Sequence, residues 1–231
     1  MNRAIIKIGG SVLYDEKLNF NVELIKKFVD WFEYQKEYKS VVFVVGGGKL
    51  SRSLVDQVRD EVKQDSSRHQ IGIAVTKVNA RIVFGVFNNS KVKYFDCLEK
   101  LSNSIKNGNA KGAIIGGLKE GWSTDMVAAN IAKALKLKLI FKVSNIDYIY
   151  TSDPNKNKDA KPLEMLSWKE YIKMFNSQMG KKHKPGMSVP IDIECAKYCE
   201  KNKIAFRISG GKLLNKKLEV TEPFRTGSLV L

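Results

Sequence analysis

Three times in this chain a short apolar run ends in consecutive glycines. Residues 4–8 lead into Gly9-Gly10-Ser11, 41–45 into Gly46-Gly47-Gly48, and 113–115 into Gly116-Gly117. Such runs are too short for helices and read as buried strands. Glycine at a strand's carboxyl end lets the backbone pass close to a ligand or take a positive φ. In open α/β sheets ligands bind beyond those ends, where backbone N–H groups and helix N-termini collect anions. One such junction is an ordinary turn, but three of them predict a phosphate-bearing ligand held by main chain.

Between the junctions the apolar period becomes helical. Leu24, Ile25, Phe28, Val29 and Phe32 recur at helical spacing, so 22–38 is expected to be a helix. Further helices are expected over 51–62, 71–87, 97–105, 124–137, 168–175 and 191–201, with strands over 91–95, 139–143, 205–208 and 228–231. This alternation predicts an α/β protein with a largely parallel sheet. The 231 residues suit one large domain or two small ones, and turn residues and charges over 152–161 mark a surface loop or a linker. Phe28, Trp31 and Phe32 read as core. Cys195 and Cys199 read as buried thiols; with Cys97 the other thiol and two histidines in the chain, no metal site is expected.

Forty Lys and Arg against 24 Asp and Glu give a net charge of +16. The basic set is 33 Lys and 7 Arg. Arginine is the usual residue for bidentate phosphate and base readout, so this balance predicts a Lys-rich surface and anionic small-molecule substrates rather than nucleic acid. Apolar runs such as 41–45 are too short to span a bilayer. The first apolar stretch, 4–6, runs straight into Lys7 and two glycines, unlike a secretory leader. A cytoplasmic protein without a membrane partner is expected.

The phosphate motif is not a Walker A loop, because Gly48-Lys49 is followed by Leu50, and G-x-G-x-x-G is missing after the first strand. Instead the chain carries Lys7-Ile8-Gly9-Gly10-Ser11, then Val44-Val45-Gly46-Gly47-Gly48-Lys49-Leu50-Ser51-Arg52, then Ser123-Thr124-Asp125 with Val127-Ala128-Ala129. Asn145-Ile146-Asp147-Tyr148-Ile149-Tyr150-Thr151-Ser152-Asp153-Pro154 follows. With Ile71-Gly72-Ile73, Thr76-Lys77-Val78-Asn79-Ala80 and the closing Thr226-Gly227-Ser228, these segments make the chain resemble the amino acid kinase family, most closely its archaeal uridylate kinase branch, from Lys7 to about residue 209. The resemblance implies a three-layer sandwich around a largely parallel sheet. It also implies a single domain over 1–231, with an acceptor half roughly 1–137 and a nucleotide half roughly 138–231. The implied activity is ATP- and Mg²⁺-dependent phosphorylation of UMP by a homo-oligomer, commonly a hexamer. Another small anionic acceptor, or nucleotide binding for regulation or storage without turnover, remains open on the same fold.

Lys7 closes an apolar strand before Gly-Gly-Ser, and the resemblance implies that it neutralises the transferring phosphoryl group. Lys142, a charge near the end of another apolar strand, needs a partner and reads as a second such cation. Asn145 and Asp147 follow, where they would orient the lysines or hold water on Mg²⁺. The backbone of Gly9, Gly10 and Ser11 would hold the donor's β and γ phosphates, with Gly47 and Gly48 between the substrates. Arg52, one helical turn on, would grip phosphate with its planar fork or make a helix-surface ion pair. Tyr150 and Asp153 resemble positions that contact the adenine nucleotide, and Ser144 one beside the purine. Thr124 and Asp125 open a helix, as caps and as a site for the acceptor phosphate. His69 stands where the branch has an Asp that contacts uridine, and 118–123, with Gly121, Trp122 and Ser123, where a segment covers the acceptor. Tyr148 stands in place of a glycine. Lys181–Lys184 with Pro185 and Gly186 reads as a basic loop, and 187–192 as the turn into the last helix.

Overall fold

The computed structural model describes residues 2–154, 156–179, 189–210 and 226–231. Its strands are β1 (Arg3–Ile8), β2 (Ser40–Val45), β3 (Val92–Phe95), β4 (Gly112–Ile115), β5 (Leu139–Ser144), β6 (Ile149–Tyr150), β7 (Pro162–Leu163), β8 (Met165–Leu166), β9 (Ala205–Gly210) and β10 (Ser228–Val230). Eight of them form one sheet in the order β3-β4-β2-β1-β5-β9-β10-β8, parallel except between β9 and β10, and β6 and β7 pair separately. The helices are α1 (Val22–Tyr34), α2 (Gly48–Gln57), α3 (Asp65–Phe87), α4 (Leu98–Lys106), α5 (Thr124–Leu135), α6 (Trp168–Met179) and α7 (Ile193–Asn202).

Strand alternation divides the core into two. From β1, Ile5 packs on one face and Ile6 and Ile8 on the other; from β2, Val42 and Val44 oppose Val41, Phe43 and Val45. The first face meets Leu101 of α4, Ile131 of α5, Tyr171 of α6 and Cys195 of α7. The second meets Phe28 and Phe32 of α1 and Val83 and Phe87 of α3. The result is the expected three-layer sandwich. Both Cys195 and Cys199 are buried, with their sulfurs 3.9 Å apart. At 23 residues α3 is long and apolar enough to cross a membrane, yet it packs along the sheet and supplies core residues.

Several element ends differ from expectation for local reasons. Helix α1 stops at Tyr34, not 38, because Gln35 leaves the helix and its side chain exchanges hydrogen bonds with the Tyr38 backbone. Helix α2 begins at Gly48, so the third glycine of the triplet already belongs to a helix and not a loop. The first turns of α3 are polar, which hid its start at Asp65 from an apolar-period reading. Helix α5 ends two residues early because Lys136 takes the left-handed conformation, φ 58°, without the usual glycine signal. The loop read at 181–186 and positions 187–188 lie outside the described residues.

Strand β1 is the switch point of the sheet: β2, β4 and β3 lie on one side, β5 and β9 on the other. Ligands of such sheets sit at the carboxyl end of that position. The frame depends on Phe43, fully buried with ring centroids 4.9 Å from Phe87 and 6.1 Å from both Phe28 and Phe32. Phe43→Ala is expected to cost about 3–5 kcal/mol of stability, read as a lower urea midpoint at unchanged m; a loss under about 1 kcal/mol would contradict the packing described.

Candidate active site

Parallel pairing of β1 with β5 places Lys7 directly opposite Lys142. Ile6 and Ile8 face α1 and α3, so Lys7 faces the layer that contains α5. Two ammonium groups side by side repel, and each is only 6% exposed. Asp125, in the first turn of α5, lies between them, its Oδ1 3.0 Å from Lys7 Nζ and its Oδ2 2.6 Å from Lys142 Nζ. A helix N-terminus is also where a carboxylate is favoured by the peptide dipoles. Asp125, expected to bind the acceptor phosphate, is thus the group that orients the two lysines.

The two cations are held differently. Lys142 donates to Asp125 and to the backbone carbonyl of Pro190. Among the described residues Lys7 makes its one ion pair with Asp125, and it lines the smaller cavity. Burial drives Lys142 down to about 8; Asp125 pulls it upward, and the charge of Lys7 adds to the fall. Burial also acts to raise Asp125, but Lys142 and Lys7 outweigh it and hold the carboxyl below its ordinary value.

The Pro190 carbonyl is itself fixed. Tyr171, next to it on α6, donates its hydroxyl to Ile191 O and accepts from Ile191 N, both at 2.7 Å. Asp192 then caps α7 by accepting from Cys195 N at 2.8 Å, and takes a hydrogen bond from Ser123 Oγ. Ser123 in turn caps α5 by accepting from Met126 N at 3.0 Å. The N-termini of α5 and α7 are therefore tied together at the site. Sequence reasoning missed Tyr171 and Asp192; the only signal was Asp192 at a helix start.

The glycine loops meet backbone to backbone. A Cβ on Gly10 would lie 2.0 Å from Gly48 N, and one on Gly48 would lie 2.0 Å from Gly10 O. No side chain fits between them. Gly9 N also donates to Val143 O at 2.8 Å, joining the first loop to β5.

Two cavities open here. The smaller, about 290 Å³, is lined by Lys7, Gly9, Gly10, Ser11, Asp125, Lys142, Ser144 and Asn145. The larger, about 740 Å³, is lined by His69, Gly121, Trp122 and Ser123. Gly47, Gly48, Arg52 and Thr124 line both, and so stand at the junction. Arg52 takes part in no ion pair among the described residues, so the surface-pair alternative is not what forms. Lys119 lies over the Trp122 ring at 5.6 Å. Three expected residues are not brought in: Asp147 packs against Gly210, Tyr150 lies beside Tyr148 with ring centroids 6.5 Å apart, and Asp153 is 3.8 Å from Lys156. None of the three lines either cavity. Tyr148, in the position of a glycine, likewise stays out of both.

Comparison with known proteins agrees with this fold. The amino acid kinase family profile matches residues 2–209. The uridylate kinase of Thermococcus kodakarensis is 29% identical over 229 residues, 99% of each chain. That of Methanocaldococcus jannaschii is 30% identical over 217 residues, 92% of this chain and 94% of the relative. The crystal structure of uridylate kinase from Archaeoglobus fulgidus has the same fold, with TM-score 0.76 at 24% identity, covering 99% of this chain and 100% of that one. The UMP kinase from Bacillus anthracis gives TM-score 0.77 at 18% identity, covering 99% of this chain and 95% of that one.

The Lys142 ammonium is expected to titrate near pH 8 in an NMR titration of the lysine side chains, well below the ordinary lysine value. Asp125→Asn should move that midpoint further down, since the carboxylate is what opposes burial. Because the folded value is depressed, the unfolded chain keeps this proton longer, and the contribution of Lys142 to stability rises from about pH 8 upward until the unfolded lysine also titrates. A midpoint unchanged in Asp125→Asn would contradict the assignment.

Proposed function

The chain belongs to the amino acid kinase family, and we propose that it transfers the γ-phosphoryl group of ATP to UMP, giving UDP and ADP. The observation that carries this reading is the Lys7–Asp125–Lys142 triad lining the smaller of two adjoining cavities, the one walled by glycine backbone, beside a second large enough for a nucleotide. The names of the relatives supply the acceptor. In the proposed step a phosphate oxygen of UMP attacks the γ-phosphorus, the bond to the β,γ-bridging oxygen breaks, and ADP leaves with that electron pair.

Phosphoryl transfer asks a protein mainly for position and for cations where charge spreads. In this reading Lys7, which lines the smaller cavity, meets the equatorial oxygens of the transferring group. Lys142, fixed on two sides, holds its charge toward the donor phosphates. The backbone of Gly9, Gly10 and Ser11 cradles those phosphates. Arg52 and the α5 N-terminus at Thr124 take the acceptor phosphate, and His69, Gly121, Trp122 and Ser123 wall the nucleoside. Mg²⁺ enters on its substrate as MgATP. Asp125, the carboxylate lining the smaller cavity, has both oxygens on lysines, and the described residues hold no group of three or more His, Cys, Asp or Glu suited to a metal. The nucleotide phosphates, not a protein cage, would carry the ion. The division into an acceptor half and a nucleotide half, the cytoplasmic setting and a hexameric assembly belong to the same reading.

Purified protein given ATP, Mg²⁺ and a panel of nucleoside monophosphates and small acids is expected to form UDP from UMP. Lys7→Ala should lower kcat about 10²–10³-fold. As pH rises through about 8, loss of the Lys142 proton should depress kcat/KM, which reports the free enzyme. Lys142→Arg should abolish that limb. ATP binding without turnover on any acceptor would overturn the kinase reading.

A further inference from the structure

Two polar side chains of α3 are buried one turn apart, at the carboxyl edge of the sheet, and neither lies in the charged triad. Asn79 is fully buried. Its Nδ2 donates to Gly46 O at 2.8 Å and to Gly47 O at 3.2 Å, and its Oδ1 accepts from the Tyr14 hydroxyl at 2.6 Å. Thr76 Oγ1 accepts from Gly117 N and donates to Ile73 O, both at 2.6 Å. One helix face thus fastens the second and third glycine loops, and through Tyr14 the segment that follows the first.

The orientation of the Asn79 amide is set by its partners. Two carbonyl oxygens require the NH₂ group, so the amide oxygen must face the phenol. A buried amide with any of these groups unmet would be costly. Burial raises Tyr14 above the ordinary phenol value, so its hydroxyl keeps the proton that it donates. All described peptide bonds are trans. In a planar trans peptide the carbonyl and the following N–H point in opposite directions. With Gly46 O and Gly47 O both drawn to Asn79, the N–H groups of Gly47 and Gly48 are turned away from it. Gly47 has φ −83° and ψ −36°, and Gly48 has φ +67°. A right-handed residue followed by a left-handed one makes successive N–H groups converge into an anion-binding concavity. Gly47 and Gly48 line both cavities, so this concavity lies where the two substrates would meet.

We propose that Asn79 and Tyr14 are positioning residues: a buried phenol–amide relay that holds the Gly46–Gly48 backbone in its anion-binding shape from behind, without touching substrate. Tyr14 acts only through Asn79. The relay lines neither of the two cavities, so its loss acts on the placement of the N–H donors rather than on a contact with nucleotide. The inference rests on the phosphoryl-transfer reading for its kinetic consequences.

The test is a double-mutant cycle of Tyr14→Phe and Asn79→Ala on the full chain, with circular dichroism and thermal melting to confirm folding. Each single variant is expected to lower kcat about tenfold or more, as a misplaced donor does, while the KM for ATP and for UMP stays within about twofold. In the Asn79→Ala background Tyr14→Phe should lower kcat no further. Additive losses, or lower melting temperatures with unchanged kcat, would overturn the relay. If Asn79→Ala does not fold, Tyr14→Phe decides alone, since it removes one hydroxyl: an unchanged kcat refutes the proposal. A wild-type protein that makes no UDP would sink the kinase reading instead; the relay is then judged by amide hydrogen exchange at Gly47 and Gly48, which Tyr14→Phe must accelerate.

Discussion

The structure depends on one carboxylate between two ammonium groups. Parallel register leaves no choice about where Lys7 and Lys142 sit relative to each other once β1 and β5 pair. Their mutual repulsion, out of water, is tolerable only with a negative charge between them, and among the described residues α5 delivers it. Buried ion pairs seldom stabilise more than the apolar packing that could replace them, yet losing one partner leaves an uncompensated charge. The triad is therefore a constraint on the rest of the molecule more than a source of stability. It fixes where α5 must begin, and the Ser123–Asp192 link then fixes where α7 begins. Tyr171 completes the enclosure by holding the turn whose carbonyl receives Lys142.

What was legible in the sequence follows from this. The glycine junctions could be read because close backbone approach admits no other residue, as the Gly10–Gly48 contact makes plain. Lys7 and Lys142 could be read because a charge near the end of an apolar strand demands an explanation. The role of Asp125 could not, because an acid in the first turn of a helix looks like a cap, and its other role depends on a strand register no local pattern carries. Asp147 was the opposite case: it stands two residues beyond Asn145 in a matching segment, but the chain turns it onto Gly210. Asn79 and Thr76 lay inside a matching segment with no role attached, since nothing in sequence says which loops a buried helix face will meet.

The net charge of +16 separates from the site in the same way. Outside the triad, every ion pair among the described residues has at least one well-exposed partner, and most join neighbours three apart on a helix or turn. Such pairs contribute little. A general positive field raises the encounter rate with anionic nucleotides, but it does not place them. On the proposed reading, placement falls to a few cations and to main-chain N–H groups, and the cations that matter are those taken out of water or, like Arg52, set at the cavity junction.

Main-chain recognition moves the control of the site away from the residues that line it. A glycine backbone has no side chain to shape it, so its conformation must come from the carbonyls on its far side and from what they bond. In this chain Asn79 holds the carbonyls of the second loop, whereas in the third it is the Gly117 N–H that is held, by the Thr76 hydroxyl; both side chains are on α3. The same helix carries His69 into the larger cavity. One helix therefore serves both the larger cavity and the second and third glycine loops, while the triad stands on β1, β5 and α5. On the proposed reading, changes at His69 or Trp122 would alter which nucleoside fits, since both line the larger cavity and neither belongs to the triad. On the same reading, Gly47, Gly48, Arg52 and Thr124, which border both cavities, are the positions whose change would affect both substrates at once.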